Sequence, residues 1–222
     1  MRRSSLLTLT ALGALICLLG GSGLFAALTD TAQSGTNSVD SAALAASADI
    51  QVARAFIPGV TPPNWGCNSF SEELGSAFFT AANVTPGYAT ADQPFCVRNV
   101  GSQPVTLSAL ATELVDVDTA CTGDEAAFED TCGGDKAGEL SAVLRITYAV
   151  IGNCVDGSGG SGPQAMALAD NATAPADLGA LAVGQTRCYR VSLAYPTTTP
   201  ADAVQRAQSD RSTWRITFAA QS

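Results

Sequence analysis

Apolar and polar positions alternate with a period of two over much of the chain. Leu44, Ala46, Ala48, Ile50 and Val52 fall on one side of an extended segment, and Ala45, Ser47, Asp49, Gln51 and Ala53 on the other. That spacing predicts a half-buried strand. Residues 58–66, with three prolines and two glycines, form a loop. Further strands are predicted over 77–82, which carries Phe78 and Phe79, and over 95–100 and 105–115, joined through Gly101-Ser102-Gln103-Pro104. The strongest signal covers 139–154, with Val143, Ile146, Tyr148, Val150 and Ile151. A glycine-rich loop at 156–163 follows it, and residues 185–195 and 212–221 complete the set. In the last segment Trp214, Ile216 and Phe218 alternate with Arg215 and Thr217. A short helix is predicted over 201–208, behind Pro200. Seven or so strands separated by Gly/Pro turns describe an all-β fold, a single sandwich of jelly-roll or immunoglobulin-like type with one short helix and long loops, covering 49–222.

The N-terminus follows a different pattern. Met1-Arg2-Arg3 leads into an apolar run at 6–19, and Gly20-Gly21-Ser22-Gly23 precedes Leu24-Phe25-Ala26-Ala27. A basic start, an apolar middle and small residues at the end are the parts of a secretory signal. The expected signal peptide is 1–26, cut by signal peptidase between Ala26 and Ala27. An uncleaved anchor is the alternative, but glycines interrupt the run and no basic stop-transfer residue follows it. Residues 27–48, rich in Ala, Ser, Thr, Asn and Gly, read as a flexible tail and candidate donor strand, with folding back onto its own sheet or remaining disordered as the equally weighted alternative. Such a tail would add to the open sheet edge of a neighbouring subunit through main-chain hydrogen bonds.

These segments carry a family resemblance. The stretch Gly20-Gly21-Ser22-Gly23-Leu24-Phe25-Ala26-Ala27-Leu28-Thr29-Asp30-Thr31-Ala32 resembles the leader of proteins processed by the SipW-type signal peptidase. Residues 34–44 (Ser-Gly-Thr-Asn-Ser-Val-Asp-Ser-Ala-Ala-Leu) resemble that family's continuation, departing mildly at Ala43. In the body, Asn83-Val84-Thr85-Pro86-Gly87 ahead of Phe95-Cys96-Val97-Arg98-Asn99-Val100-Gly101-Ser102 is similar to its hairpin. Residues 178–186 resemble its second Pro-Gly-type turn, with Val183 where proline is common. In this order the motifs resemble the TasA/camelysin-like family. The resemblance implies a SipW-dependent, secreted, extracellular or cell-surface protein of the biofilm matrix. Its implied partners are further copies of itself or other matrix and cell-envelope proteins. The cysteine content departs from the founding members.

Composition narrows the chemistry. The chain has no histidine. This removes the usual general base, the commonest metal ligand and the middle member of a Ser-His-Asp triad. The camelysin branch has a reputation as metallopeptidases, but a zincin needs H-E-x-x-H, which this chain cannot supply. A Ser-Lys dyad would have to use Lys136, the only lysine, in an acidic Gly-Gly-Asp-Lys loop that would not activate an amine. Paired carboxylates for glycoside cleavage lack aromatic platforms, since only Trp65 and Trp214 are available. A non-enzyme without cofactor is expected. The net charge of −9 repels phosphate backbones, so nucleic acid is excluded as a partner. Nine of the acidic residues cluster between Glu113 and Glu139, and within that cluster Asp124, Glu125 and Asp130 are the candidate calcium ligands. Their spacing does not match an EF-hand, and a solvated acidic loop is the plainer reading. An exported module binding calcium or a cell-wall partner is thus the alternative function, and a secreted peptidase the weakest.

Cys17 lies in the leader, leaving Cys67, Cys96, Cys121, Cys132, Cys154 and Cys188. An even number in an exported chain reads as a disulfide set with several open connectivities. Cys121 with Cys132 is the best-placed local pair, worth about 3 kcal/mol by loop-closure entropy. Cys154 with Cys188 is the second, and Cys67 with Cys96 follows by elimination. No C-x-x-C pair is present, which argues against a structural metal.

Overall fold

The structure is a computed structural model that describes residues 29–34, 48–54, 67, 69–75, 77–118, 138–154, 158–208 and 210–222. The leader, Ala26 and Ala27, the 58–66 loop with Trp65, and the acidic loop with Cys121, Asp124, Glu125, Asp130, Cys132 and Lys136 lie outside them.

The described residues form two facing five-stranded sheets, as the alternation predicts. The strands are β1 (Thr29–Ser34), β2 (Ile50–Arg54), β3 (Glu73–Leu74), β4 (Gln93–Asn99), β5 (Val105–Asp118), β6 (Arg145–Ile151), β7 (Ser161–Ala167), β8 (Ala176–Leu181), β9 (Thr186–Ala194) and β10 (Asp210–Gln221). One sheet runs β3-β1-β10-β5-β8 and the other β2-β4-β9-β6-β7. Three short helices join them: α1 (Leu140–Val143), α2 (Leu168–Asn171) and α3 (Ala201–Arg206). None of the described helices is long and apolar enough to cross a membrane.

The pairing has a simple logic. β6 and β7 form a hairpin, β5 pairs with β8, β4 with β9 and β1 with β10, all antiparallel. These nested pairs are one long hairpin rolled up, with β10 against β5 and β9 against β6 closing successive turns of the roll. This is jelly-roll strand order, and of the two expected sandwich types it is the one present. β2 and β3 are additions at the sheet ends.

The core lies between the sheets. Phe95 is its centre, 4.8 Å from Phe218, 5.3 Å from Tyr189 and 5.5 Å from Phe78 by ring centroids. Ile50, Val52, Leu107, Ile146, Leu181 and Ile216 fill the space around it. Trp214 is partly buried at the margin, where the β10 alternation places it.

Several sequence expectations need correction. Residues 77–82 form no strand. Phe78 instead plugs the core, and Arg54 holds the segment: its guanidinium donates to the Ala77 carbonyl at 2.6 Å and lies 3.9 Å above the Phe78 ring. The 139–154 strand starts late, because the first N–H groups of α1 find carboxylates: Glu139 and Leu140 donate to Asp210, and Ser141 donates to Asp116. Acceptors of this kind satisfy a helical first turn. The loop expected at 156–163 is shorter, since β7 begins at Ser161, and the turn expected over 178–186 is confined to the residues after β8. The helix after Pro200 is present as α3. Of the alternatives for the tail, residues 29–34 take the one that folds back, as a strand paired within the chain's own sheet.

Candidate functional sites: the outermost strand and a sulfur cluster

Two features stand out from an otherwise ordinary sandwich. The first is β1. Its Cα register places Thr29 opposite Gln221, Thr31 opposite Ala219 and Gln33 opposite Thr217. On its other side β3 runs parallel and reaches only Gln33 and Ser34. In the rolled-hairpin order β1 and β10 are the terminal pair, and only β3 lies outside β1 in the sheet. Its sequence, Thr-Asp-Thr-Ala-Gln-Ser, contains no large apolar residue. β1 pairs with β10 over five residues and with β3 over two, and each main-chain hydrogen bond of such a ladder is worth about 1 kcal/mol net. Residues 35–47 separate it from Ala48, which is buried in the sandwich core.

The strand beneath it is anchored far better. β10 runs twelve residues along β5, and its Ile216, Phe218 and Ala220 are buried. Peeling β1 away would uncover the 217–221 edge of a strand whose own side chains remain fixed.

The second feature is a row of small and sulfur-bearing residues across the other sheet. Ala53 on β2 is opposite Cys96 on β4, Cys96 is opposite Cys188 on β9, and Cys188 is opposite Ile151 on β6. Their neighbours Val52, Phe95, Val97 and Tyr189 belong to the central core. Because side chains alternate along a strand, the row faces away from that core. It forms a second hydrophobic cluster, covered by Cys67, Phe70 and Cys154 from flanking segments.

The cysteines in this row form the two expected disulfides that fall among described residues, Cys67–Cys96 and Cys154–Cys188. Each staples a connecting segment onto a strand. The segment after Cys67 is also fixed to β2: Val52 N donates to Ser71 O at 2.8 Å and Ser71 N to Val52 O at 3.0 Å. Gln51 accepts from Arg98 at 2.7 Å and donates to Glu72 at 3.1 Å, and the Arg98 guanidinium lies 4.4 Å over the Phe70 ring. The sulfurs of Cys67, Cys154 and Cys188 lie within 4.8 Å of one another. Sequence reading missed this convergence because the residues are far apart along the chain, and only the β4–β9 register joins them. With their sulfurs bonded in pairs, these cysteines offer no thiolate to a metal.

The motif Asn99-Val100-Gly101-Ser102 proves structural. Asn99 is fully buried; its side-chain nitrogen donates to Gln103 O at 2.7 Å and Leu181 O at 3.2 Å, while its oxygen accepts from Gly101 N at 2.9 Å. It locks the β4–β5 crossover to β8. No protein-family model, curated protein or solved structure matches the chain.

Proposed function

We propose that the protein is an exported, non-catalytic structural subunit of the cell surface or extracellular matrix, and that copies assemble by exchanging β1. In the isolated molecule β1 closes its own roll. In the assembly the β1 of one copy occupies the β10 edge of the next, replacing the same main-chain hydrogen bonds with intermolecular ones. Exchange of identical elements costs little because the bonds lost are the bonds regained.

The observation that carries this reading is the position of β1: in the terminal pair of the roll, flanked on its far side only by the two-residue β3, without large apolar residues, and separated from Ala48 by residues 35–47. The leader and the TasA/camelysin resemblance support export and a matrix role. The two disulfides fit an oxidising compartment outside the cytoplasm. The absence of histidine supports a role without catalysis.

Light scattering on the mature protein and on a variant lacking 29–34 tests it. The expected result is concentration-dependent oligomers for the mature chain and a monomer for the truncated one. A synthetic peptide spanning residues 27–37 should bind the truncated protein. A mature chain that stays monomeric at high concentration overturns the proposal.

A further inference from the structure

Beyond the two stapling bonds, the sulfur cluster has an arrangement that simple stapling does not require. The Cys188 sulfur lies 3.3 Å from the Cys96 sulfur and 3.3 Å from the Cys67 sulfur, so it touches both atoms of the neighbouring disulfide. Cys96 and Cys188 are also direct cross-strand partners in the β4–β9 register. Opposed Cα atoms in an antiparallel pair are about 4.5–5.5 Å apart, within the range a disulfide spans. The Cα spacing of the strand frame is therefore compatible with a Cys96–Cys188 bond. Cys96 and Cys188 are buried, at 0% and 1% exposure, while Cys67 and Cys154 are half-buried and accessible at the cluster's margin.

We propose that this cluster is a thiol–disulfide exchange site at which an external low-molecular-weight thiol moves the chain between two pairings. The thiolate attacks the Cys154 sulfur, forming a mixed disulfide and breaking the Cys154–Cys188 bond, with the electron pair leaving on Cys188. The Cys188 thiolate attacks the Cys96 sulfur, forming Cys96–Cys188 and releasing Cys67 as thiolate. Cys67 then attacks the Cys154 sulfur of the mixed disulfide, forming Cys67–Cys154 and regenerating the external thiolate. The sequence has no net oxidation or reduction and consumes no thiol. Each attack follows the ordinary course of thiolate on disulfide sulfur.

The two pairings differ in mechanics. In the first, each connecting segment is bonded to a strand. In the second, the strands are bonded to each other and the segments to each other, so both segments lose their covalent hold on the sheet.

Cys154→Ser tests the step directly, because it leaves Cys188 as a permanent thiol beside the Cys67–Cys96 bond. After acid quench, alkylation and peptide mapping, the proposal expects the free thiol to be shared among Cys67, Cys96 and Cys188, with Cys96–Cys188 or Cys67–Cys188 peptides present. Alkylation of Cys188 alone, with Cys67–Cys96 intact, overturns it. Wild-type protein in a mixture of reduced and oxidised glutathione gives a second reading that does not depend on the variant folding. Recovery of Cys96–Cys188 and Cys67–Cys154 peptides supports exchange, and recovery of only the original pairs or reduced cysteines overturns it.

Discussion

Asn99 shows how much a single buried amide can hold. It uses two donors and one acceptor to join the end of β4, the following turn and the end of β8. Asn99→Ala removes all three bonds; the Gly101 N–H keeps the Asp49 carbonyl at 3.0 Å, while the carbonyls of Gln103 and Leu181 lose the side-chain donor. The expected loss is about 2–3 kcal/mol, read as a lower urea midpoint with an unchanged slope. A second residue-scale test uses the buried phenols. Burial pushes the Tyr189 hydroxyl up to about 12, with Arg187 partly offsetting the rise, and burial also raises Tyr148, whose hydroxyl donates to Asn171 at 3.1 Å. A phenol whose folded value exceeds its unfolded value near 10 keeps its full stabilising contribution below that pH and loses it as pH climbs toward 12. Urea midpoints should therefore fall between pH 10 and 12, and Tyr189→Phe should flatten part of that fall. A midpoint independent of pH across this window would contradict the assignment.

Among the elements, the β6–β7 hairpin turns on one backbone position. Gly160 has φ +130°, and a Cβ there would sit 2.0 Å from the Val150 carbonyl oxygen. Only glycine fits. Gly160→Ala should destabilise the protein by about 3 kcal/mol, with amide exchange rising first in β7. Gly162→Ala makes a useful comparison, since it also has positive φ but nothing within 4 Å of the added carbon, and it should cost less. The glycine-rich stretch was legible in the sequence as a loop, but not its necessity, which comes from the close approach of a paired strand. The same contrast holds elsewhere. Strands β2, β4, β5, β9 and β10 were readable because one face of each is buried against the other sheet and alternation follows. β7 and β8 escaped because their Gly, Pro and Ala content weakens that signal. Residues 77–82 misled because paired phenylalanines resemble a strand, while Arg54 fixes them as an irregular plug. β1 lies in the stretch that reads as a flexible tail and candidate donor strand, and nothing in a six-residue sequence without large apolar residues marks it as a strand or tells whether its partner is its own sheet or a neighbour's.

At the scale of the whole molecule, β1 contrasts with the strands beside it. The aromatic centre around Phe95 is built from β4 and β9 together with Phe218 of β10, and replacing Phe95 by alanine should cost about 3–5 kcal/mol. β1 itself is a six-residue strand without a large apolar residue. The proposed assembly uses this contrast, because β1 is also the first strand among the described residues. The two disulfides among the described residues lie on the opposite sheet from β1. The most direct measurement mixes two single variants of the mature protein, Thr31→Cys and Ala219→Cys, at positions opposite one another in the β1–β10 register. The account predicts that mild oxidation of the mixture gives a disulfide-linked heterodimer joining the β1 of one copy to the β10 of another. Oligomers that yield no such link, or a mixture that remains monomeric and uncoupled, would contradict it.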